Sequence, residues 1–112
     1  MSDDKKRDPG EALQTMWKTG PLYAEAKGLR VYMEEFRKTL KAQLMQKHAD
    51  KAVTFQEREA YAAPEYAVHI KGLQAAVEQE EFLRWRLVTA QTSIEVWRSQ
   101  EASNRNMDRS TT

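Results

Sequence analysis

Residues 64–105 constrain the fold most, because after Pro64 this stretch contains one glycine and no further proline. It predicts a single long helix with two apolar rows. The first row has the three- and four-residue spacing of a coiled coil and comprises Leu73, Ala76, Leu83, Leu87, Ala90, Ile94 and Trp97. The second row lies on another side of the helix and comprises Phe82, Trp85 and Val96. Two apolar rows need two partner surfaces, so we expect one from the same chain and one from a second copy.

A second helical segment precedes this one. We expect a short amphipathic helix over 12–17 that Gly20-Pro21 ends, followed by a new helix that begins at Pro21, where proline is favoured. The new helix should continue to about His48. Its apolar residues also repeat at three- and four-residue intervals, at Leu22, Ala26, Leu29, Met33, Phe36, Leu40 and Leu44.

A short helix is predicted between the two long ones. Thr54 and Glu57 have the spacing of a capping box, in which each side chain accepts a hydrogen bond from the backbone of the other residue. The helix should end before Pro64, because the residue preceding a proline is pushed out of the helical region.

These segments predict an all-α fold, a long antiparallel helical hairpin with a short corner helix, coiled-coil-like, assembling into an oligomeric bundle. We expect a disordered charged tail over 1–10, one helical domain over 11–105 and a frayed tail over 106–112. The residues expected to form the interface of a homodimer or higher oligomer are Phe82, Leu83, Trp85, Leu87, Ile94 and Trp97.

Composition excludes several classes. The chain has no cysteine, so it forms no disulfide and no cysteine-ligated metal site. Its charged N-terminus does not resemble a secretory signal, and no apolar run approaches the ~20 residues of a membrane span. We therefore expect a cytoplasmic protein without a membrane partner. A net charge of +1 does not by itself indicate nucleic acid.

Catalytic and metal-binding patterns are absent from the sequence. His48 and His69 have no partner at metal-ligand spacing, so we predict no metal, no cofactor and no enzymatic activity. If turnover were ever detected, Glu78, Glu81 and His69 would be the first residues to test. Glu80 differs from its neighbours because it lies within the first apolar row, where an acidic residue typically pairs with a basic residue across the interface.

The second helical segment carries a stripe of basic residues. They share an arc of roughly 100° that should face solvent and suit a phosphate backbone. The stripe comprises Lys27, Arg30, Arg37, Lys38 and Lys41, and it is the predicted nucleic-acid-binding site. Glu34 lies within the stripe and reduces its positive charge. The alternative interpretation is that the stripe is an ordinary solvent-exposed side of the helix with no ligand. Gly28 and Gly72 lie inside predicted helices, where we expect close helix–helix approach.

A resemblance lies in residues 56–66, 83–87 and 95–98 and in Ala90-Gln91. Through these residues the sequence resembles a group of small uncharacterised helical proteins of tailed phages and prophages. Such proteins are commonly encoded near single-strand annealing recombinases and single-strand binding proteins. The resemblance covers about half of the chain. It implies a phage accessory protein of DNA recombination or replication in the host cell cytoplasm, and it supplies no catalytic residue.

The function expected from the sequence is therefore binding of single-stranded DNA, of a phage or host recombination protein, or of both. One alternative is a non-catalytic inhibitor or adaptor that acts on a host enzyme by protein–protein contact. Another is an oligomer that sequesters a nucleotide between subunits with interfacial Arg or Lys.

Overall fold

The computed structural model describes residues 8–111, with side chains for 8–110. These residues form three helices, α1 (Pro9–Gln46), α2 (Val53–Ala62) and α3 (Pro64–Thr111), and include no strand. The predicted all-α helical hairpin with a short corner helix is confirmed. The chain divides into two compact units: a first unit of Met1–Tyr23 with Phe82–Thr112, and a second unit of Ala24–Glu81.

Contacts in the second unit show that α1 and α3 run antiparallel. Near the corner, Lys47 Nζ donates a hydrogen bond to Glu65 Oε2 at 2.9 Å. Farther back along α1, the Met33 carbonyl oxygen lies 2.7 Å from His69 Nε2. Later positions on α3 thus meet earlier positions on α1.

The predicted break at Gly20-Pro21 is wrong, because α1 continues through Pro21. Proline in a helix loses the hydrogen bond to the carbonyl of the residue four positions earlier, here Trp17. Pro21 and Trp17 are both exposed, so water can solvate that carbonyl. Thr19, between them in sequence but on the opposite side of the helix, is only 3% exposed. Packing on the buried side therefore holds the helix together through the proline.

Other predicted boundaries also change. α2 begins at Val53, and no side chain caps its N-terminus. The predicted capping box at Thr54 is therefore wrong. The Gln56 side chain instead donates a hydrogen bond to the Lys51 carbonyl oxygen at 2.8 Å. Of the predicted tail 1–10, residues 1–7 lie outside the described residues, whereas Pro9 and Gly10 belong to α1. α3 includes 106–111, and Thr112 lies outside the described residues.

The buried face of α1 matches the predicted row in part, since Ala26 and Leu44 are buried and Met33, Phe36 and Leu40 are half-buried. Leu22 and Leu29 are 51% and 54% exposed, so they do not belong to it. Ala12 and Thr19, which precede Ala26 at seven-residue intervals, are buried as well. Small side chains at a coiled-coil position let two helices approach closely, and a search for large apolar residues overlooks them.

The first apolar row of α3 is present as predicted at Ala76, Leu83 and Ala90, which are buried together with Glu80. Among the described residues, five of the seven buried apolar residues are alanines, at Ala12, Ala26, Ala60, Ala76 and Ala90, and the other two are Leu44 and Leu83. No large side chain among the described residues is completely buried. The core is therefore thin for a chain of 112 residues.

Gly28 and Gly72, the two glycines at which we expected close approach, behave differently. A Cβ atom at Gly72 would lie 2.8 Å from the Met33 methyl carbon, so the predicted close approach of helices holds at this position. A Cβ atom at Gly28 would meet nothing within 4 Å, so the prediction is wrong there.

Candidate functional site

One residue of the basic stripe of α1, Arg30, is held by contacts within the fold. Arg30 donates from Nε to Glu80 Oε2 at 2.6 Å and from Nη2 to Glu80 Oε1 at 2.9 Å, a two-bond fork between α1 and α3. Its Nη1 donates to Glu34 Oε2 at 3.0 Å. Glu80 is only 7% exposed. The expectation that Glu80 pairs with a basic residue is confirmed, and the expectation that Arg30 faces solvent is wrong.

The electrostatics of this cluster follow from the geometry. The hydrogen bonds to Glu80, and then those to Glu34, raise the pKa of Arg30 above its ordinary value. The guanidinium therefore stays charged, and its donors are directed at protein carboxylates. A phosphate would have to compete with both of them for Arg30.

Lys41 is also engaged within the second unit. Its ammonium nitrogen lies 4.9 Å from the centre of the Tyr61 ring and 3.6 Å from Glu57 Oε1. Hydrogen bonding to Tyr61 is the main cause that raises the pKa of Lys41, and the charge of Glu57 adds to it. Tyr61 in turn packs edge-on against Tyr66 across the corner, with ring centres 5.2 Å apart. Lys41 thus helps to join α1 to the corner.

Three cations of the predicted stripe remain on the surface. Lys27, Arg37 and Lys38 are exposed, and only Lys38 has an ion pair among them within the described residues, at 3.7 Å from Glu35. They span about 16 Å along α1 at 1.5 Å per residue. This smaller group, called the α1 cation group below, is the candidate nucleic-acid interface.

A second candidate surface lies in the first unit, where α3 exposes large apolar side chains. Phe82 and Trp85 are 57% and 56% exposed. A groove of about 520 Å³ runs beside them, with α1 forming its other wall. It is lined by Glu11, Ala12, Thr15, Phe82, Trp85, Arg86, Thr89, Ala90 and Ser93. A second groove of about 360 Å³ continues along α3 past Val88, Thr92 and Val96.

The predicted oligomer interface is only partly available for a partner. Leu83 is 4% exposed and belongs to the packing within the chain, so it cannot face a second copy. Leu87 and Ile94 are half-buried, and Trp97 is 39% exposed. Sequence reasoning missed Thr89 and Thr92, because threonine does not stand out in an apolar pattern. Their spacing between Trp85 and Val96 was the signal that could have found them.

Both histidines make structural contacts. His69 binds the Met33 carbonyl oxygen and packs on Phe36, with ring centres 5.6 Å apart. His48 packs edge-on against Phe55 at 5.4 Å. Among residues 8–111, no three His, Asp or Glu side chains converge as metal ligands would.

Within the part of the chain that the structure describes, no helix has both the length and the apolar character needed to cross a membrane. Comparison of the chain with protein families, curated proteins and solved structures finds no match.

Proposed function

We propose that the protein acts by binding, as an accessory protein of phage DNA recombination or replication, and that single-stranded DNA is its target. The α1 cation group carries this proposal, because Lys27, Arg37 and Lys38 are exposed on one helix of the second unit. Neutralising phosphates with such a row releases counterions, which drives sequence-independent binding. The resemblance of half of the chain to small phage helical proteins encoded near annealing recombinases supports the same context.

The geometry sets the expected strength of this binding. With Arg30 held by Glu80 and Lys41 held at the corner, three cations remain for phosphate. Each contact to single-stranded DNA contributes a log–log salt slope of about −0.7, so three contacts predict a slope near −2. Affinity should therefore be modest and should fall steadily with salt.

The test is a fluorescence anisotropy titration of a labelled oligonucleotide at several salt concentrations. The variant Lys27→Glu/Arg37→Glu/Lys38→Glu should abolish binding without unfolding the chain, since all three side chains are exposed. The matched control is Lys18→Glu/Lys71→Glu, which reverses exposed cations of α1 and α3 outside the group. Arg30 must stay in place, because a carboxylate there would face Glu80. If the wild type binds no oligonucleotide at low salt, the DNA proposal is overturned.

A second candidate function is that of an adaptor or inhibitor that binds a protein. It is favoured by exposed apolar residues on another side of α1 in the second unit: Leu29 is 54% exposed and Tyr32 is 63% exposed. Tyr32 stacks on Phe36 at 5.8 Å, which holds its ring in one orientation. A tagged pull-down from infected cells, with and without nuclease, separates the two candidates. A partner that persists after nuclease treatment and is lost on Leu29→Glu/Tyr32→Glu supports the adaptor, whereas a recombination protein lost with nuclease supports DNA.

A further inference from the structure

The exposed side of α3 in the first unit carries a complete second heptad row. Phe82, Trp85, Thr89, Thr92 and Val96 follow one another at intervals of three, four, three and four residues. The row lies along the two grooves described above, which share Trp85, Thr89 and Ser93. A row with this spacing has the geometry needed to pack against another helix along its length.

The packing within the first unit does not use this row. Among the described residues of that unit, the buried apolar side chains are Ala12, Leu83 and Ala90, and the only other buried side chain is Thr19. Phe82 and Trp85 lie outside this small core with more than half of their surface in water. An aromatic side chain can bury 150–250 Å², so these two rings hold more unburied apolar area than the core residues beside them.

We propose that a second copy of the chain covers this face, with its α3 antiparallel to the first. The side chains of the row become smaller along the helix, because the two aromatic residues lie at its N-terminal end and are followed by two threonines and a valine. A parallel pair would place each Trp85 against the partner's Trp85. An antiparallel pair places Trp85 opposite the partner's Val96, so that the large ring meets a smaller side chain, and Thr89 opposite the partner's Thr92.

Charge fixes the register of this pair. Arg86 lies beside the row and lines the first groove. Glu11 of α1 and Ser93 of α3 line the same groove. In the register just described, Arg86 faces the partner's Ser93, which lines the same groove as Glu11 of its own chain. The two-fold axis makes this pair twice. On the other flank, Glu95 faces the partner's Val88, so no like charges oppose each other. A slip of one heptad would instead place Arg86 against the partner's Arg86 and is disfavoured.

Sedimentation velocity at 1–50 µM tests the assembly, a range chosen as roughly the order at which weak dimers dissociate. Trp85→Glu and Val96→Glu should each raise the dissociation constant by about 30-fold or more, as expected for a buried anchor of an interface. The matched control is Trp17→Glu, which changes a tryptophan that is 74% exposed on α1 and lines neither groove. The control should leave the dimer intact. A wild-type monomer throughout this range, or equal loss with Trp17→Glu, would overturn the proposal.

Disulfide trapping tests the orientation of the two helices without changing Phe82 or Trp85. Because the chain has no native cysteine, any disulfide must form between the introduced cysteines. A mixture of Thr89→Cys and Thr92→Cys chains should form the mixed disulfide in preference to either homodimer. Preferential homodimers of both variants would indicate parallel helices and overturn the antiparallel pairing. Circular dichroism of each variant reports whether the chain remains helical.

Discussion

The Arg30 guanidinium spans both carboxylate oxygens of Glu80, with Nε at 2.6 Å from Oε2 and Nη2 at 2.9 Å from Oε1. Glu80 lies in the row of α3 that faces α1, where its neighbours along the row are apolar. A carboxylate in this position is stabilised only while its partner is present. The pair therefore fixes how α1 and α3 align in the second unit.

Removing one member of this pair should destabilise the protein more than removing both. Glu80→Gln or Arg30→Met alone should lower the thermal midpoint, because each leaves a polar group on the packed face without its charged partner. Arg30→Met/Glu80→Leu should recover much of that loss, since an apolar pair of similar volume suits the row. Thermal unfolding followed by circular dichroism measures the midpoints. Glu78→Gln is the control, at an exposed carboxylate two residues away, and a loss as large as that of Glu80→Gln would contradict the assignment.

Gly28 and Gly72 should respond unequally to replacement by alanine. Gly28→Ala should raise the free energy of unfolding by about 1 kcal/mol, because alanine is the better helix former and the new methyl group meets nothing within 4 Å. Gly72→Ala should gain less or nothing, because the Met33 methyl, 2.8 Å from the new Cβ, must move. Urea denaturation of both variants gives the comparison. Equal gains would mean that Met33 does not pack against Gly72.

Replacing the proline inside α1 should stabilise the chain. Pro21→Ala restores a backbone N–H that can donate to the Trp17 carbonyl and removes the ring that crowds it, which predicts a gain of up to about 3 kcal/mol. The gain appears as a higher denaturation midpoint in urea. Leu22→Ala, at the neighbouring exposed position, should leave the midpoint nearly unchanged. A fall in stability on Pro21→Ala would show that the helix relies on a bend at the proline.

The ion pair between Lys47 and Glu65 should make the stability of the fold depend on pH. The hydrogen bond from Lys47, followed by the backbone N–H of Glu65 itself, lowers the pKa of Glu65 below its ordinary value of 4.5. A carboxyl group with a lowered pKa stabilises the fold above that ordinary value, and the contribution is lost as pH falls through the lowered one. Glu65→Gln should therefore reduce stability at pH 7 and have less effect at pH 3. Because the pair is half exposed, the difference should be small and should shrink in salt. An effect of equal size at both values would contradict the role of the charge.

The sequence predicted α3 better than α1, and the reason lies in which residues pack. On α3 the row through Leu83 and Ala90 is mostly apolar, so its period is visible. On α1 the packed positions include Thr19 and Arg30, while the more conspicuous Leu22 and Leu29 are exposed. The hydrophobic pattern alone therefore located Ala26 and Leu44 on the packed side of α1 correctly, but it also assigned Leu22 and Leu29 to that side, where they do not lie.

The role of Arg30 could not be read from α1, because it depends on a residue fifty positions later. Its place in the basic stripe was visible from helical spacing, but the stripe could not show that Glu80 lies opposite. Lys27, Arg37 and Lys38 stay exposed as expected, since no acidic side chain of α3 reaches them in the described residues. Spacing thus located the cations, and the alignment of the two helices decided which of them are accessible.

The alanine-rich packing of the described helices has a thermal consequence. The heat-capacity change of unfolding arises chiefly from apolar surface that becomes exposed, and it averages about 12–15 cal/mol/K per residue in globular proteins. A single chain that completely buries no large side chain among its described residues should fall below that average. Its stability curve would then be shallow, with little loss on cooling. Pairing through α3 would bury the aromatic rings and steepen the curve, so calorimetry at different protein concentrations would give different curvatures.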